Sequence, residues 1–344
     1  MIVVEPCAYK TGTRVYAEKL CKALEEQQVK VIGVFEKEQP STRLSFMFRF
    51  FCLYLEVWKL QRRQGCPILF VSVEPTIFPI LNLIFPFSSK CYVKFGGYEL
   101  RKSEISRAKN IIVFVRSILW RIVPNSIKIA ETKYVYYLLQ SHKIKNVKEI
   151  FHPVDYKTGI FFPNMKKIPK KLLYFGHRPL DDKNTKLVLD LARHRPEFEI
   201  CIAGYEQNLN VHNFILEYLH NYKIKNVSYQ NSAVSERQKA NLFKECSFVL
   251  LPYRRNYDGG SGVLFDALKF GSRVVASNVS EFHDLLAGTG LGVIFEPDDL
   301  KSFSEALDLI HKSIISDQEY DDARNMILES RSFGKFVSRL LEDD

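Results

Sequence analysis

Asp258 and Asp266 stand eight residues apart around a glycine-rich turn, Gly259-Gly260-Ser261-Gly262-Val263. The apolar run Phe248 to Leu251 before them reads as a buried strand ended by Pro252. Val263 to Phe270 reads as a short helix stopped by Gly271, and Val274 to Ala276 starts the next strand. Strand, glycine turn, helix and strand make a βαβ unit. Amide groups at the start of such a helix suit a phosphate, and glycine leaves no side chain to block its approach. On the glycines alone, a plain tight turn is the stronger reading. The carboxylates at each end shift the balance, because they can accept hydrogen bonds from the hydroxyls of a sugar or ribose. Further upstream, Arg178 and Lys183 follow another apolar run, Leu172 to Phe175. Two cations in one loop can stabilise the charge on a departing pyrophosphate. Taken alone, this loop reads as two solvated cations beside Asp181 and Asp182. Together with the acidic glycine turn, in that order along the chain, it reads as a phosphate site.

Elements to position these groups recur along the whole chain. Ile2 to Val4 and Val29 to Phe35 read as strands around a polar loop ending in Gly12-Thr13 and an amphipathic helix from Val15 to Glu26. Strands are also expected at Tyr92 to Phe95 and Ile127 to Ala130, and a helix at Lys133 to Ser141. Phe161 to Lys171 holds two prolines and several lysines, and reads as a linker. A second βα series follows. Strands are expected at 172–175, 198–203, 227–229, 248–251 and 292–295, with a helix from Ser235 that uses this serine as its cap. Alternating β and α predicts α/β architecture with parallel sheets. Such sheets bind ligands at the carboxyl ends of their strands.

The length of 344 residues suits two domains, and 46% hydrophobic residues can fill two cores. Seven scattered cysteines without a Cys-x-x-Cys spacing argue against a disulfide framework or zinc site and for a reducing compartment. No signal peptide is apparent at Met1-Ile-Val-Val-Glu, and no apolar run reaches the ~18–20 residues needed to span a bilayer. The net charge of +10 is uneven: residues 1–164 carry 25 Lys+Arg against 13 Asp+Glu, and the remainder 24 against 26. A basic half suggests an anionic partner. In Leu44 to Gln64, one polar stripe (Ser45, Arg49, Cys52, Glu56, Lys59, Arg63) divides an otherwise apolar, aromatic helix. Such a helix is either buried or interfacial, and pattern alone favours burial. Ile105 to Val123 mixes Arg107, Lys109, Arg116 and Arg121 with Ile111, Ile112, Val115 and Trp120, which favours an acidic lipid surface. Nucleic acid is disfavoured, since no zinc finger, RNA-binding aromatic signature or helix-turn-helix is present.

The acidic glycine turn resembles the donor-binding motif of the retaining GT-B glycosyltransferases of family 4, the type that builds bacterial polysaccharide and lipopolysaccharide. That motif is Glu, seven residues, Glu; here both positions are Asp at the same spacing. Each carboxylate is one methylene shorter, so its hydroxyl contacts must be closer or bridged by water. The family also has a Gly-Arg after the first strand of its second domain and a Lys about five residues beyond. Arg178 and Lys183 keep that spacing, with His177 inserted after Gly176. Glu149 to Asp155 (EIFHPVD) is similar to the end of the family's first domain, and His152 in it reads as structural.

The resemblance implies a GT-B fold, two Rossmann-like domains with parallel sheets facing a central cleft. Residues 1–165 would bind the acceptor, 166–325 the nucleotide-sugar, and 326–344 would form a helix crossing back to the first domain. It implies transfer of a sugar, a hexose in the family's usual case, from a nucleotide-sugar to a hydroxyl of a saccharide or lipid-linked saccharide. Configuration would be retained, and the product would serve cell-surface polysaccharide or glycolipid synthesis. Arg178, Lys183 and Asp258 would be catalytic. Gly12, Gly259, Gly260, Ser261, Gly262, Val263 and Asp266 would bind the donor, with Asp266 on the ribose. Asn231 to Val234 would line the base pocket, and Glu99 would touch the transferred sugar or acceptor. No metal or other cofactor is expected. The expected location is cytoplasmic, peripheral on an anionic inner membrane face. Two alternatives stay open: a nucleotide-sugar epimerase of the same architecture, and a non-catalytic GT-B partner at the membrane surface.

Overall fold

The computed structural model describes residues 1–6, 12–36, 42–96, 100, 107–123, 125–155, 167–176, 180–206, 208–257, 259–313 and 315–342. The chain divides into two units, Met1–Pro153 with Phe333–Asp344, and Val154–Ser332.

The first unit runs β1 (Ile2–Glu5), α1 (Gly12–Glu26), β2 (Ile32–Phe35), α2 (Arg43–Gln64), β3 (Ile68–Phe70), α3 (Ile77–Ile84), β4 (Cys91–Phe95), α4 (Arg107–Ile122), β5 (Ser126–Ala130), α5 (Lys133–Ser141) and β6 (Val147–Glu149). Its six strands are parallel in the order β2-β1-β3-β4-β5-β6. Helices α2 to α5 cover one face through Tyr54, Phe78, Trp120 and Leu139. The other face is covered by α1 through Ala17, Leu20 and Leu24.

The second unit runs β7 (Ile168–Phe175), α6 (Leu180–Lys183), α7 (Thr185–His194), β8 (Glu199–Ala203), α8 (Leu209–Asn221), β9 (Val227–Gln230), α9 (Glu236–Glu245), β10 (Cys246–Leu251), α10 (Gly262–Lys269), β11 (Arg273–Ser277), α11 (Phe282–Leu286), β12 (Gly292–Phe295), α12 (Leu300–Lys312) and α13 (Asp317–Ser330). Its sheet is also parallel, in the order β12-β11-β10-β7-β8-β9. The final helix, α14 (Phe333–Leu341), belongs to the first unit. It buries Phe336, Val337 and Leu340, and Gln27 Nε2 donates to Gly334 O at 2.8 Å. Burying three such side chains contributes roughly 5–9 kcal/mol before entropy is counted.

Several elements begin elsewhere than the sequence pattern suggests. Helix α1 starts at Gly12, so this glycine opens a helix instead of sitting in a loop. The linker expected over 161–171 ends early, because Ile168–Lys171 already pair as β7. Pro169 has no amide to donate and Lys170 has φ +62, so this stretch forms a bulge. The register shifts there between Cys246↔Ile168 and Phe248↔Leu172. In α2, burial holds only in part: Phe50 and Tyr54 are buried, whereas Leu44 and Phe48 face solvent.

Strand order sets where a ligand can enter. In the second sheet β7 leads to β8 and β9 on one side, and β10 leads to β11 and β12 on the other. The order therefore reverses between β7 and β10, and the loops leaving their carboxyl ends open a crevice.

Candidate active site

Both sequence motifs leave the two strands that flank this reversal. Gly176 ends β7 with φ +99, and Gly204 ends β8 with φ +120. Gly176 N donates to Ala203 O at 2.9 Å. A Cβ on Gly204 would lie 3.0 Å from the N, Cα and O of Gly176, so only glycine allows the two strand ends to meet. Beyond Gly176 the chain turns through α6 to Lys183. Tyr174 OH donates to Lys183 O at 2.9 Å, and Arg254 N, from the loop after β10, donates to Asp182 O at 2.9 Å. Asn184 Nδ2 and Arg254 Nη1 both donate to Asp298 Oδ1, at 2.8 and 3.1 Å. These bonds tie the Lys183 turn to the loop after β10. The Lys183 ammonium lies 5.2 Å from the Tyr253 ring centroid, a cation–π contact that orients it.

The glycine turn is braced from behind. Ser280 Oγ donates to Gly259 O at 2.9 Å, and Tyr257 OH donates to Gly260 O at 2.7 Å. Because a trans peptide points its C=O and N–H in opposite directions, these contacts turn the amides of Gly260 and Ser261 the other way. Ser261 is buried and caps α10 by accepting from Leu264 N at 3.3 Å, and its Oγ lies 3.0 Å from Tyr253 OH. No group among the described residues accepts from the Gly262 or Val263 amide. They open the positive end of the helix, where an anion is favoured. A Cβ on Gly262 would meet nothing within 4 Å, so packing does not require glycine there and the space before the helix end is open. On Gly176, a Cβ would meet Val263 Cγ2 at 3.5 Å and Lys183 Nζ at 4.0 Å. Lys183, Gly176 and the start of α10 therefore converge.

Asp266 lies one turn further along α10. Lys239 Nζ, from α9, sits 3.4 Å from its Oδ1 and 3.0 Å from Glu236. Burial raises the Asp266 carboxyl above its ordinary value, against the pull of Lys239. Burial pulls Lys239 down, but Asp266 and Glu236 outweigh it and raise it overall. The sequence reading did not single out Lys239. It lies four residues before the buried Phe243 on the same helical face, where a hydrophobe is the default, and that was the available signal. Tyr253, Tyr257 and Ser280 were missed as well, since their contacts are tertiary.

Asn231, expected at the base pocket, clamps the loop after β8. Its Oδ1 accepts from Glu206 N at 2.7 Å, and its Nδ2 lies 3.2 Å from His212 Nδ1. Gly12 belongs to the first unit. Arg178, Asp258 and Glu99 lie outside the described residues. Among the described residues, no group of three His, Cys, Asp or Glu side chains is placed to hold a metal.

The first unit carries its own polar cluster at the carboxyl ends of its strands. Glu131, just after β5, receives Lys94 Nζ at 2.9 Å and Tyr16 OH at 3.3 Å, and its Oε1 lies 3.0 Å from His152 Nδ1. Burial alone would push this carboxyl up. Lys94 and His152 outweigh it and hold it at about 2. Tyr16 stacks on His152 at 5.4 Å. His152 thus partners a buried carboxylate.

Residues 157–327, most of the second unit, match the family model described as Glycosyl transferases group 1. Solved structures similar to the whole chain include sucrose-phosphate synthase from Thermosynechococcus elongatus, with TM-score 0.76 and 13% identity over 98% of this chain and 96% of that one. Anabaena Alr3699/HepE in complex with UDP matches with TM-score 0.71 and 12% identity, over 98% and 97%. The apo form of the lipopolysaccharide outer core galactosyltransferase WaaB matches with TM-score 0.69 and 13% identity, over 98% of each chain. No curated protein matches the chain in sequence. The fold is GT-B. The second unit thus matches a glycosyltransferase domain, and the protein is a glycosyltransferase.

Proposed function

We propose that the protein transfers a hexose from a nucleoside diphosphate sugar to a hydroxyl of a saccharide or lipid-linked saccharide, with retention of configuration, at the cytoplasmic face of a membrane. The reading rests above all on one observation: Lys183, Gly176 and the open amides of α10 converge where the strand order reverses. A diphosphate seated there meets helix-terminal N–H groups and one ammonium. The bond from C1 of the sugar to the diphosphate oxygen breaks, and the electron pair leaves with the nucleoside diphosphate. The acceptor oxygen bonds to C1 on the same face, and its proton passes to the departing phosphate oxygen. No protein nucleophile is needed, and Lys183 with the amides meets the charge, so the reading requires no metal. Asp266 holds the ribose hydroxyls, with Arg178 and Asp258 assisting at phosphate and sugar. Product assembly for polysaccharide or glycolipid is the setting that fits a basic first unit.

Retention is tested with water as acceptor. Proton NMR of slow donor hydrolysis is expected to show the first-formed free hexose with the anomeric configuration of the donor. Initial appearance of the opposite anomer would overturn the retaining mechanism.

A further inference from the structure

In a water-facing helix the side opposite the core is polar. Helix α4 breaks this rule. Its core side carries Val113, Ser117 and Trp120, all buried. Its opposite side carries Ile111, Phe114, Val115, Ile118 and Ile122, spaced three or four apart, all exposed and between 40% and 63% accessible. From Ile111 to Ile122 this second apolar face runs about 16 Å along the helix. The neighbouring α3 continues it. Phe78, Leu81 and Asn82 are buried, while Ile80, Leu83 and Ile84 face outward. Two adjacent helices thus present outward apolar faces, well beyond the scattered exposed hydrophobes of an ordinary surface.

The charges beside this face identify what covers it. Arg107 and Arg121 are exposed on α4 beside this stripe, and Arg121 Nε also donates to His142 O at 2.6 Å. Arg116 is excluded from the set, because it turns inward to Thr76 Oγ1 at 3.0 Å and towards Glu74. No acidic residue lies on either helix. Apolar faces on two helices that carry cations and no acid match an anionic lipid surface, where the side chains enter the acyl boundary and the cations meet phosphates. A second copy of the chain would bring the same cations against one another. No described helix is long and apolar enough to cross a membrane, so the contact is one of lying on the surface.

We infer that the outward faces of α3 and α4 form the surface by which this glycosyltransferase embeds in an anionic membrane. The inference rests on the reading that its acceptor is presented at a membrane, and it assigns the face. The test is flotation of the full chain with vesicles of phosphatidylcholine containing about 30% phosphatidylglycerol at low salt. Wild type is expected to float. The double variant Ile111→Glu with Ile118→Glu is expected to lose binding at least roughly tenfold, and so are vesicles of phosphatidylcholine alone. Donor hydrolysis in solution is measured in parallel and is expected to be unchanged in the variant, which separates loss of this face from loss of the enzyme. Equal flotation of variant and wild type would overturn the assignment, as would no flotation at low salt. Light scattering adds one more decisive outcome: a two-chain mass that falls to one chain in the variant would give the face to a second copy instead.

Discussion

Lys183→Ala is expected to lower kcat for donor turnover by about 100- to 1,000-fold, the loss typical of removing one group that stabilises transition-state charge. The charge at issue is that of the nucleoside diphosphate as the bond to the sugar breaks. Lys183 is positioned for this by three separate contacts. Tyr174 OH holds its carbonyl, Arg254 N holds that of its neighbour Asp182, and the Tyr253 ring faces its ammonium. Its Nζ lies over Gly176, beside the open end of α10. Losing the contact with the Tyr253 ring costs about 0.5–1 kcal/mol, so the variant should unfold within a few degrees of wild type. Lys183→Arg should restore only part of the rate, because a planar guanidinium does not reproduce a point charge in that space. Full activity in Lys183→Ala would remove this residue from the catalytic set.

The largest effect on stability is expected from Glu131→Ala. The carboxylate is buried and receives Lys94 and Tyr16, with His152 beside it. Removing it strands a cation and two polar groups inside the first unit, at a cost of about 3–5 kcal/mol. Holding the carboxyl at about 2 instead of its ordinary 4.5 corresponds to about 3 kcal/mol, which agrees in size. The direction with pH follows from the depressed value. The contribution is fully present above about 4.5 and is lost as pH falls from there towards about 2. Urea unfolding of the full chain should show a first-unit transition weakened by that amount at pH 7. The gap between wild type and variant should narrow steadily below pH 4.5. A constant gap across that range would show that ionisation of Glu131 is not the source of its effect.

Much of the second unit was legible because its signals are local. The run Phe248 to Leu251, the glycine turn and the helix ended by Gly271 (φ +71) are each set by neighbouring residues. Ser235 caps α9 with a full capping box, as a serine followed three residues later by a glutamine predicts. Elements that depend on distant partners were harder. Strand β3 has three residues, all buried, too few for periodicity to register. In β7, a proline and two lysines concealed a bulge that only pairing with β10 reveals. Helix α3 keeps Pro79 within its first turn, where the missing amide costs little. Both faces of α4 are apolar, and pattern alone cannot say which one meets the core. The spacing of Asp258 and Asp266 drew attention to this turn, whereas Lys239 beside Asp266 is the product of packing between α9 and α10.

The central claim is that the switch point of the second sheet binds a nucleoside diphosphate. Thermal unfolding with UDP, GDP and ADP in turn addresses it most directly. One of the three is expected to stabilise the protein, by about 2.7 kcal/mol at 100 times its dissociation constant. The shift should shrink in Asp266→Ala, which would lose the ribose contact proposed above. No shift with any nucleotide, up to millimolar concentration, would contradict the donor site described above.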